Sequence, residues 1–281
     1  MLDNWPWYEA YVSASDPKSI LSPGSYKAWR WGINDPKAVT VQSRRLGLSN
    51  RLTGGPANSG CLSFAENGGL GEGWSDFLAI VIRGTRYTGD GDSAIGDWVS
   101  GDPIGLRYYL YSTNRTVNPE TYATMNELRY WGEHDVGEIW VEALWIVLHR
   151  LILKHGFSST LFPPQPPEDG SVPAGDFYRS QAVGKPLVPK HGNALMVQLV
   201  IMGMKIQPCP PSFFNTRNAI IEADRMLTGG ENFCELRAGV SLSGLGNDAS
   251  LRKADPWEVA FALMDSRHQL NTNWLIESRS Q

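Results

Sequence analysis

Apolar residues recur most regularly between residues 135 and 155. Val136, Ile139, Trp140, Ala143, Leu144, Val147, Leu148 and Leu151 fall at steps of three and four without a miss, which predicts a helix with one buried face. A second helix is expected at about 72–83, where Trp74, Phe77, Leu78 and Val81 form an apolar stripe while Glu72 and Asp76, one turn apart, share another face. The run "ALMVQLVIMGM" marks a third, strongly apolar helix at 193–206. A fourth opens at Pro211, a residue suited to a first helical turn, spans 212–226 and stops at "TGG". A last helix is expected at 255–266, and a weaker pattern at "TVQSRRLGLSNRL" reads as a helix ending near Gly47. Between these lie turn-rich stretches: residues 1–36, "TGGPANSGCLS", residues 89–134, and the Pro/Gly-rich loop 156–190. The pattern holds about five helices, few strands, no internal repeat and no clean division of the chain.

Composition changes this picture little. With 42% hydrophobic and 19% charged residues the chain is globular in type. A net charge of −4 and the lack of a long basic run argue against nucleic acid as a partner. The longest apolar stretch falls short of the roughly 20 residues that cross a bilayer, so no membrane segment is expected. The first residues, "MLDNWPWYEAYVSAS", do not read as a signal peptide. Eleven tryptophans spread along the chain point to packing rather than to one binding surface.

Three cysteines, Cys61, Cys209 and Cys234, match no zinc spacing and leave at least one unpaired. Cys209 and Cys234 bracket the helix expected at 212–226, which is about 22 Å long. Residues 227–234 reach about 26 Å when extended, so geometry allows that pair without favouring it. Taken alone, Glu72 and Asp76 are acids placed well near the positive end of a helix, and His134 is a neighbour of a helix start. His149, among Glu142, Arg150 and Lys154, reads as solvated; His155, His191 and His268 have no ligand partner at i+4 and read as structural or surface residues. "GGLGEG" fails G-x-G-x-x-G because position 74 is Trp, and neither a P-loop nor a G-x-S-x-G elbow occurs. Asn114-Arg115-Thr116 is a glycosylation sequon that has meaning only in a secreted chain.

Longer stretches carry a resemblance. "GLSNRLTGGPANSGCL", "GGLGEGWSDF", "YSTNRTVNPETY", "HDVGEIW", "QLVIMGMKIQPC", "AIIEADRMLTGGENFCEL" and "SYKAWRWGINDP" resemble the fungalysin-type extracellular zinc metalloproteases of fungi, and cover most of residues 25–246 in that family's order. The resemblance implies a mainly α fold: the helical C-terminal lobe of a thermolysin-like metalloprotease at 37–246, preceded by an irregular remnant at 1–36 and followed by a divergent polar tail at 247–281. It implies zinc as cofactor, protein or peptide as substrate, and an extracellular location. Carried over by position, Glu72 matches the third zinc ligand, Asp76 the carboxylate that orients a ligand histidine, and His134 the histidine that stabilises the tetrahedral oxyanion. The glycines around Glu72 are then expected to let backbone and substrate approach.

The same resemblance exposes a departure. Where the family has H-E-x-x-H-G, this chain reads Gln42, Ser43, Arg44, Arg45, Leu46 and Gly47, so both ligand histidines and the general base are absent. Residues 37–46 stand where the family has a long block that carries the zinc helix. Leucine offers no lone pair and a glutamine amide is a poor zinc ligand. A four-ligand zinc site is worth about 10–16 kcal/mol, so two missing ligands weaken binding by about 6 kcal/mol, or some four orders of magnitude. The expectation is a chain of the family without proteolytic activity. The alternatives are a non-catalytic helical fragment that binds a partner, a mis-assembled gene product, or a weak metal site rebuilt from Glu72, Asp76 and His134.

Overall fold

A computed structural model describes residues 48–55, 58–84, 91–161, 163–164, 167–183, 185–247, 249–252 and 261–263. Its order is a helical turn at 48–52, a 3-10 turn Ser59–Leu62, α1 Ala65–Arg83, a single turn α2 Asp97–Ser100, a 3-10 turn Tyr122–Asn126, α3 Glu133–His155, α4 Gly192–Ile206, α5 Phe213–Thr228 and α6 Phe233–Leu242. Two short strands, β1 Ser250–Arg252 and β2 Phe261–Leu263, pair antiparallel. The expected mainly α character is what the chain has.

Helix α3 is the hub. It packs against α1, α4 and α6, and α5 closes on α4 and α6. All eight residues of its predicted apolar stripe are buried. The helix is nonetheless not one-sided: Glu138, Glu142 and His149 are buried as well, so the solvated His149 of the sequence pattern is corrected. Its Nδ1 lies 3.0 Å from the Trp145 carbonyl oxygen, and its ring rests against Trp145. A helix at the centre of a bundle has neighbours on every side, and polar residues there must find partners inside the protein.

Helix α1 starts seven residues earlier than the apolar stripe indicates, because its first two turns are the glycine run. Glycine disfavours a helix by about 1 kcal/mol per residue, but here it sets the distance between helices. A Cβ on Gly73 would sit 2.8 Å from the Gly137 carbonyl oxygen, and one on Gly137 would sit 2.9 Å from Gly69 O and from Gly73 N. The glycines therefore bring the α1 and α3 backbones together. The backbone approach expected of these glycines is thus made by α3. The lost helix propensity is offset by tighter backbone packing, which buries Trp74 against Trp140 with ring centroids 5.4 Å apart.

The fourth helix does not open at Pro211, which precedes the cap: it begins after Ser212, whose side chain accepts from Asn215 N–H, and ends as expected at Gly229, in the left-handed conformation. The expected helix at 255–266 is overturned at 261–263, which pair as a strand; the rest of it lies outside the described residues. Residues 48–52 are helical; the helix expected to end near Gly47 lies, over residues 40–47, outside the described residues. Helix α6 was not expected, although Phe233, Leu236 and Val240 have helical spacing. Of the tryptophans in the described residues, Trp74, Trp140 and Trp145 are core, while Trp98 and Trp131 are exposed.

Cysteine pairing is settled by the fold. Cys61 and Cys209 form a disulfide with Cα atoms 5.0 Å apart, joining the 3-10 turn before α1 to the segment after α4. Cys234 is free and exposed, so the Cys209–Cys234 pair is excluded. No helix among the described residues is long and apolar enough to cross a membrane.

Candidate functional site

The close approach of α1 and α3 decides what the site can be. Glu72 lies one turn below Gly69 on α1, and His134 lies in the first turn of α3, opposite it. With the backbones in contact at Gly73 and Gly137, the two side chains meet: His134 Nδ1 is 3.1 Å from Glu72 Oε2. His134 is largely exposed and Glu72 is mostly covered. Burial pushes the Glu72 carboxyl up, and the nearby His134 pulls it back. Two residues 62 positions apart, both singled out from sequence, are thus brought together.

Asp76 is not part of that pair. It is buried one turn further along α1, where Arg107 Nε and a terminal guanidinium nitrogen donate to Oδ2 at 2.8 Å and 2.6 Å. Tyr111 OH donates to the same oxygen at 3.4 Å. Burial raises the Asp76 carboxyl and Arg107 opposes it. The guanidinium is held charged by that contact. Where the family pattern implies an imidazole for Asp76 to orient, these contacts are made by an arginine.

Beyond Asp76 the α3 face continues inward as a row of acids at helical spacing from His134: Glu138 and Glu142. Glu138 Oε1 accepts from Tyr109 N–H at 2.9 Å, and Glu142 Oε2 accepts from Ser112 N–H at 3.2 Å. Glu120, on the facing loop, accepts from Tyr130 OH at 2.6 Å. Each carboxyl leaves one buried oxygen with no hydrogen-bond partner among the described residues: Glu120 Oε2, Glu138 Oε2 and Glu142 Oε1. Arg115 stands 3.8 Å from Glu142 Oε1, too far for a hydrogen bond. Burial pushes Glu138 up to about 7, with Asp135 adding to it, and burial together with repulsion from Glu138 pushes Glu120 and Glu142 up to about 8. Both of the latter are mostly neutral acids at neutral pH.

The residues present do not fit a zinc ion. A catalytic zinc needs three protein ligands and an open position. Glu72 and His134 are bonded to each other, Asp76 is engaged by Arg107, and no three His, Cys, Asp or Glu among the described residues are grouped to hold a metal. Residues 42–46, outside the described residues, are by sequence Gln42, Ser43, Arg44, Arg45 and Leu46, none of them an ordinary zinc ligand.

Arg107, Tyr111, Glu120, Glu138 and Glu142 were missed by sequence reasoning. Glu138 and Glu142 carried a signal, since they stand four and eight residues after His134 on one helix. Arg107, Tyr111 and Glu120 lie in the turn-rich segment, where no periodicity says which way a side chain points.

The extracellular metalloproteinase MEP of Fusarium vanettenii is 42% identical over 250 residues, which cover 86% of this chain and 36% of that protein. MEP of Pyricularia oryzae is 43% identical over 234 residues, covering 80% and 34%. Extracellular metalloproteinase 10 of Uncinocarpus reesii is 42% identical over 245 residues, covering 83% and 34%. The chain spans about a third of the length of the curated relatives it matches. Residues 26–249 match the family model described as fungalysin metallopeptidase (M36), a span that includes Glu72, Asp76, Arg107 and His134. With this match over most of its length and relatives about 42% identical, the chain belongs to the fungalysin metallopeptidase family.

Proposed function

We propose that this chain is the helical lobe of an extracellular fungalysin-type metallopeptidase and that it does not itself hydrolyse peptide bonds. In the family reading, Glu72 descends from a metal ligand, Asp76 from the residue that orients a ligand histidine, and His134 from the oxyanion-stabilising histidine. Zinc, where bound, supplies a water whose pKa is lowered to about 7. The observation that carries the proposal is the donor set. Glu72 is left with His134 as its partner, and residues 42–46, which stand where the family has H-E-x-x-H, include no histidine and no glutamate. His134 is largely exposed and so open to a carbonyl oxygen, but without an activated water that contact is binding alone.

The test is metal content and proteolysis of the full chain, purified and dialysed against zinc. The expected result is zinc far below one equivalent and no chelator-sensitive hydrolysis of casein. A full equivalent of retained zinc together with casein hydrolysis overturns the proposal.

A further inference from the structure

We infer that Asn114 is the attachment point of an N-linked oligosaccharide. The inference rests on the extracellular reading above. Asn114-Arg115-Thr116 is the single Asn-x-Ser/Thr triplet in the 281 residues. Such triplets occur by chance, and the fold decides whether the amide is presented.

Here it is. Asn114 and Thr116 are both exposed in a turn between Tyr111 and Asn118. The Asn114 N–H donates to Ser112 Oγ at 3.0 Å, and its carbonyl accepts from the N–H groups of Val117 and Asn118 at 2.9 Å and 3.0 Å. Its Oδ1 accepts from Thr116 N–H at 3.0 Å and from the Thr116 hydroxyl at 2.8 Å. Nδ2 alone makes no hydrogen bond to a described residue. The middle residue anchors the turn: Arg115 reaches inward and donates to the carbonyls of Glu120 and Leu242. The triplet therefore turns its first and third side chains outward and its second inward.

Asn232-Phe233-Cys234, the weaker Asn-x-Cys form, shows the opposite arrangement. Asn232 is buried and its Nδ2 donates to Asp224 Oδ1 at 2.7 Å. The Cys61–Cys209 disulfide belongs to an oxidising compartment, where oligosaccharyl transfer also takes place. In the transfer, Asn114 Nδ2 bonds to the anomeric carbon of a lipid-pyrophosphate-linked oligosaccharide. The carbon–oxygen bond to pyrophosphate breaks, the lipid pyrophosphate leaves with the bonding pair, and one amide proton passes to the transferase.

The full chain is expressed behind a cleavable secretion leader in yeast and treated with peptide-N-glycosidase. The expected result is one mobility step removed by the enzyme, with Asn114 converted to aspartate in the digested peptide. N114Q and T116A should each lack the step while melting at the wild-type temperature. A secreted chain with Cys61–Cys209 closed but no enzyme-sensitive step overturns the acceptor assignment and leaves the extracellular reading standing. A step that persists in N114Q also overturns it. A chain recovered with Cys61 and Cys209 both reduced sinks the extracellular reading, and the assignment with it.

Discussion

Replacing Gly137 with alanine tests whether glycine contact sets the distance between α1 and α3. In an open helix this substitution stabilises by about 1 kcal/mol through propensity. Here the new Cβ would stand 2.9 Å from Gly69 O, 2.9 Å from Gly73 N and 3.1 Å from Glu72 Cβ. Two of these obstacles are backbone, so no side-chain rotation clears them. The helices must part by about half an ångström, enough to forfeit a quarter or more of the dispersion energy of each contact that opens. Overpacking of this kind costs about 1–3 kcal/mol, and rigid backbone obstacles place Gly137→Ala at the upper end. After subtracting the propensity gain, the net loss is about 2 kcal/mol, which lowers the melting temperature by roughly 4–8 °C for a chain of this size. Circular dichroism melts and urea titrations of both proteins measure it. Gly69→Ala should also lose stability, because its Cβ would stand 2.3 Å from Val136 Cγ1, 2.5 Å from Val136 Cβ and 3.2 Å from Gly137 N, and trimming Val136 to alanine relieves only the first of these contacts. A Gly137→Ala protein that melts higher than wild type refutes the close packing of α1 on α3, and with it the geometry that joins Glu72 to His134.

Two further outcomes follow from the buried charges. Glu142 has a folded pKa of about 8, above its ordinary value of 4.5, and Glu120 and Glu138 are raised in the same way. A raised carboxyl favours the folded state while protonated, so its contribution is complete below pH 4.5 and is lost as pH rises through 8. At about 1.4 kcal/mol per tenfold change in proton affinity, Glu142 accounts for on the order of 4 kcal/mol across that window. Glu142→Gln, measured by urea titration between pH 5 and pH 8, should flatten the decline; an unchanged slope rejects the assignment. Arg107→Met leaves Asp76 buried without its guanidinium, which should cost about 3–5 kcal/mol at pH 7. The cost should shrink at pH 5 as Asp76 takes a proton, and a loss independent of pH would show that packing rather than charge is at stake.

The helices were legible because burial imposes a period. The α3 stripe, the α4 run and the α5 cap could each be read from spacing and end chemistry, and all are present. The start of α1 was not legible, since glycine signals a break unless a second backbone lies against it. Strand β2 was read as helix because a short apolar run suits either state and its pairing partner, β1, lies elsewhere in the chain. The site was half legible. Glu72, Asp76 and His134 came from motif resemblance, whereas Arg107 and the acids beyond it required knowing which loop folds over α3.

The sequence by itself determined the family and the missing ligand histidines, since both are matters of which residue types occur in which order. It also determined that Asn114-Arg115-Thr116 is the single Asn-x-Ser/Thr triplet. Tertiary structure alone decided that Glu72 meets His134, that Asp76 meets Arg107, and that Cys61 pairs with Cys209. Those contacts join segments far apart along the chain. Their distances follow from how closely two helix backbones can pack and which polar groups are left inside once they do, and no local pattern carries that information.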